Sequence, residues 1–146
     1  SNSLKIESKQ FEEEEVEFLI GIQNIGNKFL EIVKKSNKII ITVKKAFQVK
    51  DLFLSYLKSF DCEGKELIII IPEYYKITEK DSQLFKELGI KVKKENATLL
   101  DLMVSDEGDV LIGVPDSSGS TSHIIAVWIK SKTFTESLIN SLIEEN

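Results

Sequence analysis

Few residues in this chain have types and spacing suited to chemistry. The stretch Gly21-Ile22-Gln23-Asn24-Ile25-Gly26-Asn27-Lys28 has the outline of a phosphate loop. That loop needs Lys directly after its second Gly, then Ser or Thr. Here Asn27 intervenes and Phe29 follows, so the stretch reads as a structural strand-to-helix turn. Asp101, Asp106 and Asp109 are three carboxylates near one hairpin. A hard cation needs several oxygens converging on one point, and this spacing fits no EF-hand loop. Asp106 and Asp109 flank Gly108 as ordinary turn residues do. His123 follows Ser120, Thr121 and Ser122, which allows a nucleophile–His–Asp triad only in outline, because no nucleophile elbow supports it. A lone His at such a junction reads more simply as a surface or ligand-contact residue. One Cys and one His exclude a Cys/His zinc centre. No cofactor or metal is expected.

A second group follows strand ends. Lys44, Lys45 and Phe47 come after one apolar run; Glu73, Tyr74, Tyr75 and Lys76 come after another. In open parallel sheets ligands bind beyond the carboxyl ends of the strands. There the tyrosines would stack on a ligand and the lysines would attract an anion. The same residues would also make a solvated rim with one aromatic plugging the core. Asp101 is the least expected residue. It lies within Leu-Leu-Asp-Leu-Met-Val, on one face with Leu99 and Met103. A carboxylate there needs partners or water, so it faces either a polar cavity or solvent.

The elements that must position these groups are legible from periodicity. Val16 to Ile20 reads as a short strand closed by Gly21. Ile22, Ile25, Phe29 and Ile32 recur at helical spacing over 23–36. KIIITV (38–43) and LIIII (67–71) are β-branched runs suited to strands buried on both faces. Between them, Val49, Leu52, Phe53, Tyr56, Leu57 and Phe60 mark an amphipathic helix. Thr78 and Asp81 open a third helix as a capping box, and Gly89 closes it before a strand at 90–93. Strands at 99–104 and 110–114 flank the turn 105–109. DSSGSTS (116–122) is a loop, 123–129 is a strand, and a last helix starts at Thr133 with Glu136 as its box partner, burying Phe134, Leu138 and Leu142. The order predicts an α/β fold with a mixed, largely parallel sheet flanked by helices on both faces.

Bulk properties narrow the function. A chain of 146 residues suits one domain. Residues 1–15, ending in a glutamate run, read as a linker or the tail of a connecting helix, and 16–146 as the domain. The net charge is −5, and all 19 basic residues are lysine. Arginine supplies most bidentate phosphate and guanine contacts, so direct nucleic-acid binding is disfavoured. No apolar run spans a bilayer, no secretory leader is evident, and the lone Cys62 fits a reducing, cytoplasmic setting. A start without Met suggests a piece of a longer protein.

The hairpin Leu99 to Asp116 resembles the strand-turn-strand that carries the H-x-K-x4-D motif of phospholipase D-like proteins, with the G-S-x-N segment after it. Placing the motif aspartate on Asp106 puts its His on Leu99 and its Lys on Asp101. The later segment falls on Gly113-Val114-Pro115-Asp116. Leu99 has no lone pair for attack and Asp101 would repel phosphate, so the resemblance implies lost phosphodiester chemistry. More of the chain, roughly 13–144, is similar to the C-terminal domain of TrmB-like archaeal transcription regulators. The residues that carry this likeness are Val16 to Gly21 with the helix after it, Val33 to Ile41, the degenerate hairpin, and Ala126-Val127-Trp128-Ile129 followed by Thr133 to Glu144.

That resemblance implies a phospholipase D-like effector and dimerisation domain, without catalysis, working as a homodimer. DNA would be held only through a winged-helix domain N-terminal to this sequence. The effector would be a small molecule, in the family often a sugar or related metabolite. The family's best-known sugar binders carry a further C-terminal domain that this sequence lacks, so the effector is left unnamed. Residues expected to line its site are Lys44, Lys45, Phe47, Tyr74, Tyr75, Asp101, Asp116 and His123. Two other readings stay open: a divergent phosphodiesterase or nuclease in which His123 or an unrecognised group replaces the lost nucleophile, and a purely structural interaction domain.

Overall fold

The computed structural model describes residues 14–44, 50–59, 62–96, 100–114 and 124–144. Among these residues seven strands form one sheet in the order β1-β7-β6-β5-β2-β3-β4. They are β1 (Glu15–Ile20), β2 (Lys38–Thr42), β3 (Glu66–Pro72), β4 (Ile90–Glu95), β5 (Leu102–Ser105), β6 (Asp109–Val114) and β7 (Ile125–Lys130). The described residues also form the helices α1 (Ile22–Lys35), α2 (Lys50–Lys58), α3 (Glu79–Glu87) and α4 (Lys132–Glu144).

The sheet is mixed, as the element order predicts, but it is mostly antiparallel. Only β2–β3 and β3–β4 run parallel. The other four pairings, β1–β7, β7–β6, β6–β5 and β5–β2, are antiparallel. Helices α2 and α3 stand between the strands of the two parallel pairs in the chain, as crossover connections do. The expectation of a largely parallel sheet fails on two long-range pairings: β5 docks against β2, and β1 leaves its sequence neighbour to pair with β7 at the far edge.

Alternation along the strands sorts side chains to two faces. Ile39, Ile41, Leu67, Ile69, Ile71, Met103, Leu111 and Trp128 line one face. They form the main core with Phe29, Ile32 and Val33 of α1, Leu54 and Leu57 of α2, and Phe85 of α3. The α1–α2 contact is close: a Cβ on Gly26 would meet the Tyr56 ring at 2.5–2.8 Å. Val104 and Val110 are fully buried on the opposite face, where α4 packs on β5 and β6.

Helix ends follow local chemistry. Thr78 Oγ1 accepts from the Asp81 N–H at 3.1 Å, and Gly89 follows α3 at φ +72°. At α4 the cap differs from the expected Thr133. Ser131 Oγ accepts from the Phe134 N–H at 3.2 Å, and the Ser131 carbonyl accepts from the Thr135 N–H. The helix therefore starts earlier, burying Thr135 and leaving Phe134 39% exposed. Leu138 and Leu142 are half-buried. Among the described residues no helix is long and apolar enough to cross a membrane.

Candidate functional site

The carboxyl ends of β2 and β3 meet the amino end of β5 and the end of β6. Asp101 sits just before β5, which begins at Leu102 rather than at residue 99. It is half-buried, and its Oδ1 accepts the Lys44 N–H at 2.6 Å. Its carbonyl accepts the Gly113 N–H at 2.9 Å, continuing the β5–β6 ladder. Beside it, Thr42 Oγ1 donates to the Leu100 carbonyl at 2.8 Å. Asp101 thus ties the exit of β2 to the entry of β5. Gly113 makes room for this: a Cβ there would lie 3.2 Å from Asp101 Cβ.

The other expected site residues divide. Lys44 is exposed and joined to Asp101 through its backbone. Tyr74 is 71% exposed, whereas Tyr75 is half-buried and packs against the main core. Its N–H closes a turn on the Pro72 carbonyl. Lys45, Phe47, Asp116 and His123 lie outside the described residues, as does Leu99.

The phosphate-loop lookalike is the turn its spacing predicts. Gly21 donates its N–H to the Ile124 carbonyl, and its carbonyl accepts from Ile25 at the first turn of α1. Lys28 points away from that turn. Its ammonium stands 4.0 Å over the Trp128 ring and pairs with Glu17 at 3.8 Å and Glu31 at 3.6 Å.

The three aspartates do not converge. Among the described residues no group of three His, Cys, Asp or Glu side chains could hold a metal. Asp106 Oδ1 accepts the N–H groups of Asn37 and Lys38, both at 3.0 Å. Its own N–H donates to the Lys38 carbonyl. The carboxylate therefore fastens the hairpin turn to the start of β2. In the alignment with the phospholipase D-like motif, this one retained position holds backbone.

Asp109 is the site that its reading as a turn residue missed. Its side chain is fully buried. The Trp128 indole N–H donates to Oδ1 at 2.8 Å, and Lys35 reaches Oδ2 at 3.0 Å. Lys130 lies 3.4 Å from Oδ2 and also donates to the Glu107 carbonyl at 2.6 Å. Ser105 Oγ accepts the Asp109 N–H at 3.1 Å and donates to Oδ2 at 3.3 Å. Burial pushes the carboxyl up, but the indole and the two ammonium groups together outweigh it and hold it below the usual carboxylate range. Partial burial lowers the Lys35 ammonium, and its bond to Asp109 more than offsets this, so it titrates above the ordinary lysine value. The missed signal was alternation: counting back from Leu111 puts Asp109 on the core face.

TrmBL2, an archaeal chromatin protein with a novel mode of DNA binding, superimposes with a TM-score of 0.61 and 18% identity. The match covers 99% of this chain and 57% of the TrmBL2 chain. Nuc from Salmonella typhimurium, a phospholipase D family member, gives 0.59 and 15% identity, covering 88% of this chain and 91% of Nuc. NucT from Helicobacter pylori gives 0.62 and 11%, covering 88% and 93%. No protein-family profile matches the sequence, and no curated protein is similar to it in sequence. The chain has the phospholipase D-like α/β fold. It shares that fold with TrmBL2 across nearly its whole length.

Proposed function

We propose that this chain is a non-catalytic effector-sensing and dimerisation domain of a TrmB-like transcription regulator. The observation that carries the reading is the division of labour between Asp106 and Asp101. The retained motif aspartate fastens backbone. The position where the motif has its phosphate-holding lysine carries a carboxylate bound to the Lys44 N–H. A carboxylate there opposes an incoming phosphodiester rather than holding it. The fold shared with TrmBL2 supports a regulator context. The net charge of −5 without arginine supports DNA contact through a separate domain rather than this one.

The test has two arms. A thermal-shift panel of sugars, nucleotides and phosphates is expected to contain at least one compound that raises the melting temperature by mass action. Incubation with generic phosphodiesters is expected to give no turnover. Turnover that disappears in His123→Ala would sink the reading and replace it with a divergent phosphodiesterase. A panel with no shift at all would remove the sensing half.

A further inference from the structure

The edge strand β1 carries an uncharged apolar stripe that no described element covers. Val16 is 65% exposed, Phe18 70% and Ile20 63%. They alternate with Glu15, Glu17 and Leu19, so all three share one face. It is the face away from α1, since Leu19 is buried in the main core and Glu17 pairs with Lys28 of α1. Their neighbours on β7 are Ile129, Val127 and Ile125, all half-buried. Next in line on β6 is Val114, 41% exposed and paired with Ile125. Helix α4 lies on this face but packs on β5 and β6, which leaves β7 and β1 as a ledge that no described helix covers.

We propose that a second copy of this chain docks on this ledge, stripe against stripe, about a two-fold axis near Phe18. The surface is self-complementary, as an isologous interface must be. Rotation about Phe18 brings Phe18 to its own copy and Val16 to Ile20, so a branched side chain meets a branched one. Charge agrees. Glu15 and Glu17 point to the opposite face, and Glu14, which flanks the stripe beyond Val16, accepts from Ser131, so no carboxylate lies within the stripe itself. Area agrees too. With a whole aromatic side chain worth about 150–250 Å², the stripe offers about 350 Å² per copy. Val114 and the half-buried Ile125, Val127 and Ile129 of β7 on the same face raise this to about 500 Å². Two copies then bury about 1,000 Å², the lower bound for a specific interface.

This inference rests on the dimerisation half of the proposed function and names its surface. The experiment is light scattering of the intact chain between about 1 and 200 μM, for wild type, Phe18→Glu, Phe18→Lys, an equimolar mixture of the two, and Lys86→Glu on exposed α3 as control. The wild type and the control are expected to dimerise alike. Each Phe18 variant is expected to weaken the dimer at least about thirtyfold, as loss of a central anchor does, with an unchanged circular dichroism spectrum because the residue is largely exposed. The mixture is expected to recover the dimer, because the two-fold sets Glu against Lys. A wild-type dimer indifferent to Phe18→Glu would overturn this surface and leave dimerisation standing. A mixture no more associated than either variant would overturn the two-fold register. A wild type still monomeric at the top concentration would overturn both, and would assign the ledge to another protein.

Discussion

The indole nitrogen of Trp128 donates to a carboxylate oxygen of Asp109 at 2.8 Å, inside the sheet's main core. This bond joins the middle of β7 to the first residue of β6. Around it, Lys35 and Lys130, both partly exposed, neutralise the charge, while Lys28 stands over the face of the same ring. A carboxylate with no exposed surface survives only because each oxygen has strong donors. The end of α1 and the ends of three strands are thereby fixed to one another.

Asp109→Ala should therefore be among the most damaging single changes. It strands the indole N–H and leaves two lysines crowded without their anion. Breaking a buried pair costs about 3–5 kcal/mol. Because both lysines keep partial access to water, about 3 kcal/mol is expected. Asp109→Asn, which can still accept from Trp128, should cost less. Urea unfolding of both variants measures this; a loss under about 1 kcal/mol for the alanine would show the network to be ornamental.

Acid should act through the same residue. The Asp109 carboxyl titrates below its unfolded value, so its contribution is complete above about pH 4. It fades as the pH falls through the folded value, where the native state must take up the proton. Lys35 runs the other way. Its folded value is raised, so its share is intact below about pH 10.4 and is lost on going more alkaline. Melting temperatures from pH 2 to 7 should show wild type losing its advantage over Asp109→Asn on the acid side. A constant gap between the two would contradict the assignment.

Legibility in the sequence followed the range of each interaction. KIIIT and LIIII announced buried strands because β-branched packing is local, and both appear within a residue or two of their expected bounds. The Thr78 cap and the Gly21 turn were equally local. The direction of the sheet was not, since it depends on β5 finding β2 and β1 finding β7 across the whole chain. Asp109 is a mixed case. Alternation from Leu111 points it inward, but beside Gly108 it looks like a turn residue, and Trp128, the partner that makes a buried carboxylate tenable there, lies nineteen positions later. At the candidate site the hairpin was legible as a degenerate motif. That Asp106 would hold the amides of Asn37 and Lys38 was not, because those partners lie 68 and 69 positions away.

Asp106→Ala tests that last contact. It removes the acceptor of two backbone N–H groups at the entry to β2. The site is exposed, so water replaces part of the loss, and about 1–2 kcal/mol is expected. Hydrogen exchange should locate the effect at residues 37 and 38. Unchanged protection there would mean that the turn is held by the Asp106 backbone alone.

Gly113→Val probes the junction at Asp101. The new Cβ would stand 3.2 Å from Asp101 Cβ, and the added methyls would press further. Strand β6 is paired on both sides here, so it cannot easily retreat. Overpacking of this kind costs about 1–3 kcal/mol. Thermal unfolding checks the figure; a neutral result would show that Asp101 shifts freely.

Asp101→Ala and Asp101→Asn separate the structural role of this carboxylate from a ligand-contacting one. As a tie, Asp101 matters for the Lys44 N–H it accepts. Alanine should then cost about 1 kcal/mol, and asparagine, which keeps an acceptor, about half of that. As a ligand contact it matters for its charge, so asparagine should weaken an effector as much as alanine does while sparing stability. Melting temperatures with and without the compound found in the thermal-shift panel distinguish the two roles. Effector binding untouched by both changes would confine Asp101 to the backbone tie. The recognition surface would then have to be sought toward the exposed ring of Tyr74 at the end of β3.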